Sequence, residues 1–244
     1  MFLANGLRLK NRVATGFTID SLASLVHWFA FDTEQTLDGL KVTEWGDQAT
    51  ADNDLTQTDS SKQPNYNNGE LDFSPSATQL LFDSDVSLQS FTICIALKTG
   101  SNNTETIIGN LSVGSTLYRI GQAGSPNRIR LQYVDGATYL HDITAASPYP
   151  SVGTEYVLTI TRDTTGAFST NNQIKTFVNT SLKTTTTFNG AGSSNFIFNK
   201  IGSHGGVSNP FDGSIHEFVI FNEALGTTDL ENVVNDIMTR NGIS

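Results

Sequence analysis

The sequence predicts an all-β protein: a two-sheet antiparallel sandwich with a short N-terminal arm and a C-terminal helix packed on it. Three observations carry that expectation. More than a dozen short segments alternate apolar and polar residues, clusters of Gly, Asn, Asp, Ser and Pro separate them, and one stretch near the C-terminus has a helical apolar period. The chain has 244 residues, 37% of them hydrophobic and 9% aromatic, enough for a sizeable core without disulfide support.

Taken in order, residues 1–19 form a basic arm carrying Arg8, Lys10 and Arg12 with no acidic side chain. The body, 20–244, then holds the excess of acidic groups in a chain of net charge −10. TIDSLASLV (18–26) reads as a short helical turn capped by Asp20 or Ser21. Strands are expected at 26–31, 41–45, 70–73, 91–97, 105–110, 116–121, 128–134, 138–144, 155–162, 174–179, 181–188, 196–202 and 214–221. Ile129, Leu131 and Tyr133 share one face by alternation, as do Tyr156, Leu158 and Ile160. Asp135-Gly136 and Asn189-Gly190 are hairpin signals. Trp28 and Trp45 read as core and inter-sheet packing. The helix is expected over 228–240: Thr228 and Glu231 have capping-box spacing, Leu230, Val233, Val234, Ile237 and Met238 make one stripe, and Arg240 and Gly242 close it.

Several functions are disfavoured by composition. An acidic body repels nucleic acid phosphates, and no window approaches the ~18 apolar residues of a membrane span. The single cysteine, Cys94, sits in the apolar run FTICIAL and reads as a small buried hydrophobe. The carboxylates closest to a glycosidase pair, Glu70-Leu71-Asp72, are followed by Phe73, Ser74 and Pro75, so a third carboxylate in register is missing. The histidines, His27, His141, His204 and His216, have neither metal-ligand nor triad spacing. No catalytic residues are therefore expected.

Two blocks carry a family resemblance. SLASLVHWFAFD, VTEWGDQATADNDLTQ and QPNYNNGELDF open the body, and FDGSIHEFVIFNEALGTTDLENVV closes it. Together they resemble the laminin G-like, or concanavalin A-like, jelly-roll domains, including those of bacteriophage virion proteins. The resemblance implies a jelly-roll sandwich and a scaffold role for the opening segment, with Asp47, Asp52, Asn53 and Asp54 bracing its loop, Gly213 freeing the backbone before the last strand, and Glu217 accepting hydrogen bonds. The same four loop residues are the candidate calcium ligands, since relatives bind calcium through loop oxygens. Glycan-stacking candidates are Tyr133, Tyr139, Tyr149 and His204.

The functional expectation is a non-enzymatic virion accessory protein, capsid-decorating or tail-mounted, made in the host cytoplasm without a signal peptide. Its partners are other virion proteins, in multiple copies, and host-surface glycans. Docking is assigned to the arm through Phe2, Leu3, Leu7, Arg8, Leu9, Lys10 and Arg12. A secreted carbohydrate-binding module is the alternative, and a glycoside hydrolase of the same fold is third.

Overall fold

A computed structural model describes residues 17–30, 33–74, 78–101, 103–110, 116–122, 129–135, 137–143, 150–165, 173–187, 195–204 and 209–244, with only the backbone for 116–122, 130, 132–135 and 137–143. Its strands are β1 (Leu25–Phe29), β2 (Gln35–Asp38), β3 (Lys41–Trp45), β4 (Leu55–Thr56), β5 (Asn65–Asn67), β6 (Glu70–Asp72), β7 (Leu80–Leu88), β8 (Phe91–Thr99), β9 (Ile108–Gly109), β10 (Thr116–Gln122), β11 (Ile129–Asp135), β12 (Ala137–Ile143), β13 (Glu155–Asp163), β14 (Gln173–Val178), β15 (Ser181–Thr187), β16 (Phe196–Ile201) and β17 (Gly213–Phe221). The helix α1 is Thr227–Asn241.

The strand pairings are antiparallel and fold the sheet into two layers. One layer runs β15-β14-β13-β8-β17, and β17 gives its far edge to β6 at one end and β1 at the other. The other runs β12-β11-β10-β9-β16-β7-β4-β3-β2. Strand β5 pairs with both β3 and β6 and so joins the layers at one corner. This is the jelly-roll sandwich expected of the sequence.

Alternation decides what each layer buries. Along β8, Ile93, Ile95 and Leu97 point into the core between the layers, while Cys94 and Ala96 point outward under the helix. That double burial is why FTICIAL reads as an unbroken apolar run. The inter-layer core is strongly aromatic. The Phe29 ring lies 5.6 Å from Trp45, 5.7 Å from Phe82 and 5.9 Å from Phe218, and Phe82 continues to Phe198 at 5.8 Å. These separations suit tilted and edge-to-face packing. Trp45 is fully buried, with its indole N–H on the Ala30 carbonyl at 3.0 Å.

A second cluster fixes α1 against the outer face of the first layer through Leu230, Val233, Val234 and Ile237. The expected helix stripe is thus the one used, but its start differs. The N-cap is Gly226, without a side-chain cap, so Thr228 falls inside the first turn and cannot serve as the cap of a box with Glu231. The C-terminal stop is as expected: Gly242 takes a left-handed φ of 69°, and the Ile243 N–H bonds to the Met238 carbonyl at 2.9 Å.

Other departures have similarly local causes. The 18–26 turn shortens to a 3-10 turn at Ile19–Ser21, because Leu25 already pairs with Phe221. Trp28 is half-buried on the helix side rather than between the layers. Its indole donates to Glu217 at 2.8 Å, and the Arg240 guanidinium lies 5.2 Å from its ring centroid. Glu217, 2% exposed, also accepts from Arg240 and Asn241, tying the last strand, the tryptophan strand and the helix together. Strand β7 is not apparent from alternation, because Asp83, Ser84 and Asp85 interrupt it with three exposed residues in a row. Its pairing with β16 shifts register across that stretch. No helix among the described residues is long and apolar enough to cross a membrane.

Candidate functional site

The described surface is concave along the rim where β6 and β8 end and β17 begins. Gly213 makes that crossing possible: a Cβ there would run into the Lys98 carbonyl oxygen and approach the Phe211 ring at 2.7 Å, so the chain passes only without a side chain. Two adjoining grooves open here, sharing Ser74 and Asp212.

The first groove, about 340 Å³, is lined by Asn67, Glu70, Asp72, Lys98, Val152 and Asp212, among others. Glu70 is its electrostatic centre. It receives the Lys98 ammonium at 3.0 and 3.2 Å and the Ser214 hydroxyl at 2.5 Å. His216 Nε2 lies 3.3 Å from Glu70 and 3.9 Å from Glu155. Burial pushes the Glu70 pKa up, but the Ser214 hydroxyl, Lys98 and His216 together outweigh it and hold the acid below its ordinary range. A carboxylate held ionised in this way is a poor proton donor, which disfavours a glycosidase acid at Glu70. Glu70, Glu155 and His216 do present ligand atoms within 4.8 Å of one another. Lys98 already supplies positive charge there, so the cluster is complete as an ion-pair network.

The second groove, about 320 Å³, is different in kind. Ser101, Asn103, Thr104, Asn209 and Asp212 surround Glu105, which is only 2% exposed. The Ser101 hydroxyl donates to Glu105 Oε1, whereas Oε2 has no hydrogen-bond partner among the described residues. Burial first, and the nearby Asp212 charge second, push the Glu105 pKa up to about 7 against the opposing pull of the Ser101 hydroxyl and the Asp212 N–H. The two loops are zipped together by backbone bonds from Gly100 N–H to the Asp212 carbonyl at 2.6 Å and from Thr106 N–H to the Asn209 carbonyl at 2.8 Å.

The opening loop that holds the calcium candidates Asp47, Asp52, Asn53 and Asp54 is tied together by its own hydrogen bonds. Asp47 is 5% exposed, and its oxygens accept from His27 Nδ1 at 2.6 Å and from the backbone N–H groups of Trp28, Ala49 and Asn53 at 2.9, 3.0 and 3.3 Å. Asp54 accepts the Asp47 N–H at 2.7 Å, and the Asn53 amide pairs with the Ser84 backbone in both directions. Asp52 is exposed, at a left-handed φ of 51°. The oxygens of Asp47 converge on N–H donors, so this residue braces the segment.

Of the stacking candidates, Tyr133 and Tyr139 are register partners across β11 and β12, and Tyr118, which alternation alone did not single out, is the partner of Tyr133 across β10 and β11. His204 lies elsewhere, its Nδ1 2.8 Å from the Thr106 hydroxyl. Tyr149 falls outside the described residues, as do the arm positions Phe2, Leu3, Leu7, Arg8, Leu9, Lys10 and Arg12. Sequence reasoning missed Lys98, Glu105, Glu155, Asp212 and His216 as a group. They come from four separate segments, and the one local signal was an acid, Glu105, opening the apolar run ETIIGN.

Comparison with curated proteins finds no match to the sequence. Among solved structures, domain 4 of AbnA, a GH43 extracellular arabinanase from Geobacillus stearothermophilus solved with arabinotriose, superposes with a TM-score of 0.57 at 16% identity, over 86% of this chain and 98% of that one. A heptameric SAP-like pentraxin from Limulus polyphemus gives 0.50 at 18% identity, over 64% and 75%. The NanB sialidase of Streptococcus pneumoniae gives 0.47 at 18% identity over 62% of this chain, which spans only 26% of the sialidase. At these identities the likeness is one of fold. At the level of sequence, a model of the concanavalin A-like lectin/glucanases superfamily matches residues 74–231. The chain belongs to the concanavalin A-like lectin/glucanase superfamily.

Proposed function

We propose that this protein is a non-enzymatic carbohydrate-binding module and that the first rim groove is its binding site. The observation that carries the reading is the groove's mixed polar wall: the carboxylates of Asp72 and Asp212, the Asn67 amide and the Lys98 ammonium border one open cleft of about 340 Å³. Sugar hydroxyls both donate and accept, so a wall offering both acceptors and donors suits them better than one of a single sign. Val152, 42% exposed, adds an apolar patch at the margin. The arabinotriose-bound arabinanase domain shares this fold, which makes arabino-oligosaccharides the first ligands to try.

The virion reading draws on the charge contrast between arm and body, and its docking positions lie outside the described residues. The carbohydrate reading therefore carries the proposal. It is tested on a broad glycan panel, followed by calorimetry on the best ligand with paired variants. Asn67→Ala with Asp72→Ala should weaken binding at least tenfold, while Tyr133→Ala with Tyr139→Ala should leave it within twofold. Loss in the tyrosine pair alone would move the site to the β10–β12 strands, and no binding across the panel would overturn the reading.

A further inference from the structure

We propose that the second groove binds the ammonium of an amino sugar, with Glu105 and Asp212 as its anionic partners, so that the rim selects oligosaccharides carrying unacetylated amines. The inference rests on the carbohydrate reading above and names the sugar class. Its starting point is an unmet requirement: Glu105 is 2% exposed, the Ser101 hydroxyl donates to its Oε1, and Oε2 has no hydrogen-bond partner among the described residues. Glu105 lines the groove, so the unmet oxygen lies at the groove wall. A buried carboxyl oxygen without a partner is costly, and a ligand that supplies a donor there recovers that cost.

The surroundings select the donor. Asp212 is fixed beside this carboxyl by the bond from the Gly100 N–H to its carbonyl at 2.6 Å, and among the described residues no Lys, Arg or His lines the groove. A neutral hydroxyl would satisfy Oε2 but leave the two acids facing each other, whereas an ammonium brings three donors and the missing positive charge. Glu105 offers a single unbonded oxygen, which suits the point charge of an ammonium better than the two-pronged guanidinium. The protein meets the same demand in the adjoining groove, where the Lys98 ammonium lies 3.0 and 3.2 Å from the Glu70 oxygens. A sugar is the fitting carrier because the two grooves share Ser74 and Asp212, so one oligosaccharide can follow the rim through both. The hydroxyls of Ser101 and Thr104 and the amides of Asn103 and Asn209 then serve the hydroxyls of the ring. Acetylation of the amine removes its charge and two of its three donors. The backbone bonds that zip the two loops hold Glu105 and Asp212 in place before a ligand arrives, so little ordering is left for binding to impose.

Calorimetry on the full chain at neutral pH compares the trisaccharides of glucosamine, of N-acetylglucosamine and of arabinose, with Nα-acetyl-lysine amide as a further probe. The glucosamine trisaccharide should bind at least about tenfold more tightly than its acetylated counterpart, the factor that a charge-assisted hydrogen bond ordinarily carries. Glu105→Gln and Asp212→Asn, made separately so that a folding failure in one leaves the other informative, should each erase that preference. Asp52→Asn, in the opening loop, should keep it. The inference is overturned if the glucosamine trisaccharide does not bind, if free and acetylated amines bind equally, or if the preference survives both groove variants. In each of these cases, arabinotriose binding that is lost in Asn67→Ala with Asp72→Ala leaves the first-groove reading standing. Lysine amide binding as tightly as the glucosamine trisaccharide would assign the groove to a protein's lysine and overturn the sugar class.

Discussion

Asp47 and Glu105 are both buried acids, exposed by 5% and 2%, and they sit in loops of opposite character. Around Asp47 the sequence is crowded with Asp and Asn, yet its oxygens meet four N–H donors drawn from His27, Trp28, Ala49 and Asn53. Around Glu105 the local sequence is unremarkable in charge, yet Oε2 has no hydrogen-bond partner among the described residues and a second acid, Asp212, has been brought alongside from more than a hundred residues away. The density of acidic residues in a stretch therefore says little about where negative charge is left uncompensated. What matters is how many donors the fold delivers to each carboxylate.

The largest effect should come from emptying the satisfied site. Asp47→Ala strands His27 and three backbone N–H groups in a buried loop, and by analogy with broken buried ion pairs it should cost about 3–5 kcal/mol in urea unfolding. A loss below about 1 kcal/mol would mean that water replaces the carboxylate and that the two loops are less different than their hydrogen bonds imply.

The intermediate effect belongs to Glu105 and depends on pH. Its folded pKa of about 7 lies above its ordinary 4.5, so between these values the native protein binds more protons than the unfolded chain. Stability should then fall as pH rises from about 4.5 to about 7. Glu105→Gln removes that slope: it should match the parent near pH 4 and exceed it by about 1–3 kcal/mol at pH 8. Parallel pH profiles for the two proteins would show that Glu105 is solvated in solution.

The smallest effect is the sharpest contrast within the opening loop. Asp52 is exposed and left-handed, and Asn tolerates that backbone, so Asp52→Asn should change stability by no more than about 0.5 kcal/mol. A larger loss would show that the brace depends on the charge of the loop as a whole and not on Asp47 alone.

Much of the fold was legible because it follows from local periodicity. The alternation in EYVLTITR places Leu158 and Ile160 in the inter-layer core, and the Leu230, Val233, Val234, Ile237 stripe faces the sheet as its spacing requires. Where competing local chemistry intervened, the pattern misled. Asp83, Ser84 and Asp85 hide β7, and Thr228 and Glu231 imitate a capping box although Thr228 lies two residues past the actual N-cap, Gly226. Trp28 reads as core from hydrophobicity, but its N–H is drawn outward by Glu217, a partner 189 positions away.

By itself, then, the sequence determined the layered all-β architecture, the buried thiol, the last helix and its glycine stop, since each depends on residues a few positions apart and on the burial of apolar side chains. Only the tertiary structure decided the state of the carboxylates. It set Lys98 and Ser214 on Glu70, four N–H donors on Asp47, and a second acid, Asp212, beside Glu105. Electrostatic energy depends on distances between groups and on the water excluded from them, and neither quantity exists until distant segments are folded together.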